Sequence, residues 1–253
     1  MDGKLAAAPL PDNVQRVLDF GTGTGIWAID FADAHPSAQV THWVPVPPDE
    51  LTSPSVPPNC TFEIDDCEEP WTFSQKFDYI HGRMMIGAFG DWPNVFKNVY
   101  EHLKPGGYFE MQDTNFPMEA IDDTFGEDTA LWEWNRLMLK ASDTSGRPLS
   151  VAHLYKKWMI EAGFVDVVEI KYKWPQNTWP KGKRDKELGM WTLANILEGL
   201  QGFSLALMTR FLGLSAEEVE LLLVDVRKDM RNRDIHSYWP IYVVYGRKPE
   251  TAT

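Results

Sequence analysis

The stretch Asp19-Phe20-Gly21-Thr22-Gly23-Thr24-Gly25 places a carboxylate two residues ahead of a glycine and then repeats glycine at every second position. Glycines let the backbone turn sharply and approach a ligand without an intervening side chain, and a helix that follows presents its free N–H groups. A dinucleotide loop reads G-x-G-x-x-G, which would put glycine at position 26. Ile26 is there instead. The G-x-G-x-G spacing, with Asp19 ahead of it, fits S-adenosylmethionine better, because the carboxylate can face the ammonium of the methionine portion.

Other residues are candidates for chemistry. His81 closes the run Phe77 to His81, where an imidazole serves either as a general base towards a phenol or enol or as a hydrogen-bonded residue fixing the loop. Asp113 and Asn115 follow an apolar strand, and Asp113 is a second catalytic candidate. Asp65, Asp66, Glu68 and Glu69 are acidic neighbours on one loop; their side chains mostly diverge, so one adenine contact with solvated neighbours is expected and no metal site. His236 is read as a packing residue. Among eleven tryptophans, Trp132, Trp134 and Trp191 lie with Phe203 and Phe211 in helical segments. Such rings serve as core or as the apolar walls of a substrate pocket, and Trp191, Phe211 and Trp132 are the pocket candidates.

The elements that position these residues follow from periodicity. Arg16 to Phe20 reads as a strand, and Ile26, Trp27, Ile29 and Phe31 as the helix after the glycine loop. Further strands are expected over 38–44, 60–64, 77–81, 108–112, 165–172 and 238–245, the last antiparallel. Residues 45 to 58 hold too many prolines for a crossover helix. Asp91 is a helix N-cap with Pro93 in the first turn, and Lys104-Pro105-Gly106-Gly107 stops that helix. Residues 126–163 and 185–233 are mostly helical, with a capping box at Ser215 and Glu218. Strands alternating with helices imply a mostly parallel sheet covered on both faces. We therefore expect one α/β domain over residues 1–253, with helical inserts near 118–163 and 181–233 as a substrate lid.

Composition narrows the partners. The chain has 253 residues, 43% hydrophobic and 24% charged, with a formal net charge of -13. An acidic surface repels phosphate backbones and anionic lipids, so neither nucleic acid nor a membrane is an expected partner. The basic run Lys181, Lys183, Arg184 and Lys186 reads as a solvated entry to a helix. Cys60 and Cys67 are too few for a disulfide framework and read as thiols of a reducing compartment. No leader or membrane-spanning run is present in the sequence, and a soluble, cytoplasmic protein is expected. A homodimer is compatible with these features.

The chain resembles the LaeA-like fungal class I methyltransferases. The resemblance rests on Gly3-Lys4-Leu5 with Ala8-Pro9-Leu10, VLDFGTGTGIWAIDFA, VPPNCTFEIDDCEEPW, FDYIHGR, DWPNVFKNVYEHLKPGGYFEMQD and IHSYWPIYVVYGRKP, in that order along nearly the whole chain. LYKKWMIEAGFVDV is similar to class I methyltransferases more widely. The resemblance implies a Rossmann-like seven-stranded sheet ordered 3-2-1-4-5-7-6, with S-adenosylmethionine across the carboxyl ends of strands 1 and 4. It implies that Asp19, Gly21, Thr22, Gly23 and Gly25 hold the methionine part. Asp65, Asp66 and Cys67 lie at the adenine, with Asp66 accepting from its amino group, and His81 and Arg83 lie on the sulfonium side. Family members carry an aspartate for the ribose hydroxyls at the end of strand 2, where this chain has Val44; Asp49 or Glu50 would substitute only if the proline-rich loop folds back. Relatives also carry a helical segment ahead of Gly3-Lys4-Leu5. Both departures lead us to expect weak or absent cofactor binding.

The reading is a methyltransferase acting on a hydrophobic small molecule of specialised metabolism. The alternative is an enzyme of the same fold that has lost methyl transfer and catalyses a cyclisation, as a pericyclase, without the cofactor. A regulatory binding protein is a second alternative.

Overall fold

In the computed structural model, which describes residues 3–21, 23–44, 56–64 and 66–250, the short apolar runs become the central strands of one sheet. In chain order these are β1 (Arg16–Phe20), β2 (Gln39–Val44), β3 (Cys60–Ile64), β4 (Phe77–Arg83), β5 (Leu103–Thr114), β6 (Glu119–Ala120), β7 (Val165–Pro175) and β8 (Ser237–Arg247). The helices are α1 (Ile26–Ala34), α2 (Trp92–His102), α3 (Ala130–Ser145), α4 (Tyr155–Ala162), α5 (Lys183–Leu212) and α6 (Ala216–Arg231). The sheet runs β3-β2-β1-β4-β5-β8, with β7 and β6 both paired to β8. The five strands from β3 to β5 are parallel, whereas β8 is antiparallel to all its neighbours.

Several strands run past the expected bounds, β5 most of all, and one strand is new. Lys104 to Gly107, read as the turn that stops the helix, already belongs with Leu103 to β5: Leu103 pairs with Phe77, and Gly106 and Gly107 exchange hydrogen bonds with Lys248. β6 was not anticipated, since two residues carry no alternation to read. The expected helix signals are present. The Asp91 carboxylate accepts from Asn94 N, and Ser215 with Glu218 forms a reciprocal cap on α6. No helix among the described residues is long and apolar enough to cross a membrane.

Alternation along β8 assigns the layers. Tyr242 and Val244 join the core formed with α2 and α4. Trp239 and Ile241 point to the opposite face and pack with α3, α5 and α6, while Tyr245 on that face reaches the core around α1. The region 118–163 thus divides. α3 joins α5 and α6, whereas α4 packs on α2 and β7 as part of the sheet's own cover.

α5 is fixed where it crosses the exit of β7. The side chain of Asn177 donates to Met230 O (3.0 Å) and Asn232 O (2.9 Å), tying this segment to the end of α6. Gly189 packs so closely on the Asn177 carbonyl that a Cβ would overlap it. Gly189→Ala should therefore destabilise the protein by about 1–3 kcal/mol in urea unfolding, despite alanine's better helix propensity. An unchanged midpoint would mean that α5 shifts freely over this contact.

Candidate cofactor and substrate site

β1 delivers Asp19 into a position fixed from both sides. In register it lies opposite His42 of β2 and His81 of β4, and all three side chains are fully buried. Its carboxylate accepts from His42 Nδ1 at 2.9 Å and from His81 Nδ1 at 2.7 Å. Burial alone would raise the Asp19 pKa, but the hydrogen bonds and charges of the two imidazoles outweigh it and hold the carboxyl at about 2. Trp27 of α1 stacks on His81, ring centroids 3.8 Å apart and 9° from parallel. Glu110, opposite His81 on β5, accepts from Ala7 N (2.9 Å) and Ala8 N (2.7 Å), so the segment before β1 is pinned across this row.

The glycine loop turns directly beyond this array. Gly21 and Gly25 have φ of 76° and 72°, a left-handed backbone that favours glycine. A Cβ on Gly21 would overlap the Met85 thioether, and one on Gly25 would crowd Phe62. Around Gly23, by contrast, space is open. The loop is therefore packed by protein at its two ends and accessible at its middle. Thr22 and Asp65 lie outside the described residues, as do Asp49 and Glu50. Asp66 is exposed and its side chain accepts from Glu68 N at 2.9 Å. Cys67 is buried in the core with Trp43 and Trp71. Cys60 is also buried, and burial together with the Asp19 charge pushes its thiol up to about 11.

Three consecutive residues after β4 join this loop to a cavity. Met85 packs on Gly21, while Met84 and Ile86 line an apolar space of about 520 Å³. Its walls come from Thr114 at the end of β5 and Phe116 beyond it, Trp174 of β7, Trp239 and Ile241 of β8, and Trp191, Phe203 and Leu207 of α5. Its polar lining is Thr114, Thr192 and Asn195; among the described residues, no charged or titratable side chain faces it. Met84 has φ 55°, a strained value for a residue with a side chain, and its N–H donates to Gln112 O at 3.0 Å. The connection is held from beneath by Asp113, which accepts from Met85 N (2.7 Å) and Tyr155 OH (2.9 Å).

The candidate residues thus separate. Trp191 lines the cavity, whereas Phe211 and Trp132 lie outside its lining, Phe211 near the far end of α5 and Trp132 in the first turn of α3. His81 and Asp113 are fully buried and absent from the lining, so neither presents an acid or base to a molecule bound there. Arg83 is half-buried and lines an adjoining cleft. His236 pairs with Asp122 at 2.6 Å away from both spaces. Met84, Ile86, Trp174 and Trp239 were not foreseen. The alternation of Trp239, Ile241 and Val243 carried a signal for one shared face, but not for what covers it.

Residues 1–169 match the family model described as a methyltransferase domain. The chain is 39% identical to the probable methyltransferase tdiE of Emericella nidulans, over 98% of this chain and 77% of that protein. It is 34% identical to the secondary metabolism regulator LAE1 of Cochliobolus heterostrophus, over 98% of this chain and 82% of that one. Among solved structures it resembles the Haemonchus contortus phosphoethanolamine N-methyltransferase 2 in complex with S-adenosyl-L-methionine. There the TM-score is 0.56 at 18% identity, over 93% of this chain and 49%, about half, of that chain.

Asp113 generates a pH dependence with a definite sign. Burial raises its pKa from 3.8 to about 7, against the lowering effect of Tyr155 and the backbone N–H groups. The folded protein then keeps a proton that the unfolded chain releases. Stability from this group is full below pH 4 and declines as the pH rises to 7, by up to ~4 kcal/mol across the window. Urea unfolding between pH 5 and 8 should show this slope in the wild type and lose it in Asp113→Asn, whatever that variant's baseline. Equal slopes would remove Asp113 as its source.

Proposed function

Because the chain belongs to the class I methyltransferase family, alongside the LaeA-like fungal proteins, we propose that it transfers a methyl group from S-adenosylmethionine to a hydrophobic small molecule of secondary metabolism. One observation carries this reading: the segment Met84-Met85-Ile86 touches the glycine loop with its middle residue and lines an apolar cavity with the two outer ones. A donor on the loop and an acceptor in the cavity would meet at this segment.

The residues fit such a donor in part. Open space at Gly23 lets a ligand approach the backbone, and the N-terminus of α1 offers its unpaired N–H groups. Gly21, Gly23 and Gly25 would hold the methionine portion and Asp66 the adenine. Asp19 is committed to His42 and His81, so it shapes the loop and leaves the ammonium to other groups. When bound, the cofactor supplies an electrophilic methyl on a sulfonium. The protein's own contribution is proximity and exclusion of water, since α5 roofs the cavity as a lid and the lining is almost wholly apolar. With no titratable group in that lining among the described residues, the reading favours an acceptor that attacks without giving a proton to the cavity wall.

Cofactor binding is proposed to be weak. Val44 ends β2 in the place where relatives have a ribose-binding carboxylate. Each charge-assisted hydrogen bond is worth roughly 1.5–3 kcal/mol, so Val44→Asp should tighten adenosylmethionine in calorimetry by about tenfold or more. Tight binding by the unaltered protein would show that Asp49 or Glu50 supplies the contact. No binding, together with catalysed cyclisation in cofactor-free buffer, would overturn methyl transfer in favour of the cyclase reading.

The lid has its own test. Trp191 is 64% exposed, so Trp191→Ala should leave the melting temperature within about two degrees while raising KM for the acceptor roughly tenfold. A large loss of stability with unchanged KM would make the ring a structural one.

A further inference from the structure

The apolar cavity opens onto a cation that the fold itself does not use. Arg83 ends β4 opposite Gln112 and is half-buried. Its guanidinium makes no hydrogen bond or ion pair with any described residue. It lines a second cleft of about 680 Å³, which shares Met84, Trp174, Leu188, Trp191 and Ile241 with the apolar cavity. The two spaces are therefore one groove between the sheet and α5, apolar at one end and charged at the other.

The other charges of the cleft do not serve the same role. Lys173 places its ammonium 4.5 Å from the centroid of the Tyr238 ring. Arg184, in the first turn of α5, is engaged by another contact. Asp185 on the same turn and Glu187 just after it are exposed. A guanidinium partly withdrawn from water without an acceptor is unfavourable, and its planar fork matches a carboxylate. With Arg83, Lys173 and Arg184 set against Asp185 and Glu187, the cleft carries a net single positive charge, which suits one negative charge and disfavours a dianionic phosphate.

We propose that Arg83 is the recognition site for the carboxylate of an amphipathic acid whose apolar body fills the adjoining cavity. The identification of that acid as the methyl acceptor rests on the methyltransferase reading; the binding site does not. An apolar cavity discriminates weakly among hydrophobic bodies, whereas an oriented charge pair at its mouth fixes which end of the molecule enters first. In a chain of net charge -13, such a pair also supplies local attraction that the overall field opposes.

The test uses the full chain without cofactor and two near-isosteric probes, 2-naphthoate and 2-naphthamide, followed by calorimetry and by quenching of tryptophan fluorescence. The acid should bind at least tenfold more tightly than the amide. Arg83→Gln should abolish that preference while leaving the amide's affinity and the melting temperature unchanged, and Arg83→Lys should retain part of it. Equal binding of acid and amide, binding of neither, or a preference that survives in Arg83→Gln would each overturn the proposal. If Arg83→Gln keeps the acid preference but weakens adenosylmethionine, Arg83 serves the cofactor's own carboxylate and the proposal is likewise overturned. Radiolabelled adenosylmethionine separates the two readings: an Arg83-dependent acid preference without transfer to any acceptor refutes methyl transfer and leaves the carboxylate site standing.

Discussion

A carboxylate sealed from water among three strands sets the geometry on which the glycine loop and the cavity depend. An ionised carboxylate without partners would be several kilocalories per mole too costly at the Asp19 position. His42 and His81 remove that cost, and they do so only when β2, β1 and β4 are in one register. A slip of one residue in either neighbour would turn an imidazole to the opposite face and leave the charge half-satisfied. The array therefore specifies alignment as well as stability. What it aligns are the carboxyl ends of these strands, where the glycine loop and Met84 to Ile86 begin.

The second constraint is the economy of that connecting segment. The backbone bends at Met84, directly after β4, and three consecutive residues there serve two sites at once. Here Met85 closes one end of the glycine loop while its neighbours line the cavity. The left-handed backbone at Met84 costs of order 1 kcal/mol or more, and the hydrogen bonds from Met84 to Gln112 and from Met85 to Asp113 hold it. Asp113 is itself an expensive residue to bury, as its raised pKa records. Retaining it is intelligible if the geometry of the loop matters more than the stability forgone.

The sheet was legible because its strands are short apolar runs bounded by glycine, proline or polar residues, and because helix caps such as Asp91 and Ser215 announce themselves locally. The glycine loop was legible for the same reason. The partners of Asp19 were not, since His42 and His81 lie 23 and 62 residues away and meet it only through strand register. Spacing also could not separate Trp191 from Phe211. Both ride on α5, yet one faces the sheet near the helix start and the other lies at the far end, a distinction made by where α3 and α6 pack. His81 and Asp113 had the right residue types for proton transfer; burial and partners show that His81 holds the Asp19 carboxylate and that Asp113 accepts from Met85 N and Tyr155 OH.

These features together shift the burden of recognition from side-chain charges to shape. With Asp19 turned inward, the loop can meet a cofactor mainly through backbone N–H groups and the open space at Gly23, whose value depends on the loop being held in one conformation. With an apolar lining, the cavity offers an acceptor burial energy that is large but undirected. Direction must then come from the few polar groups at its edge. Thr114, Thr192 and Asn195 are neutral, and each contributes at most an ordinary hydrogen bond. Arg83 adjoins this lining as a half-buried cation whose guanidinium has no partner among the described residues, so in the proposed reading an acceptor's orientation relative to the glycine loop would be decided there. A rigid connection through Met84 makes that orientation transferable, because whatever fixes one end of the groove is one residue away from the cavity wall.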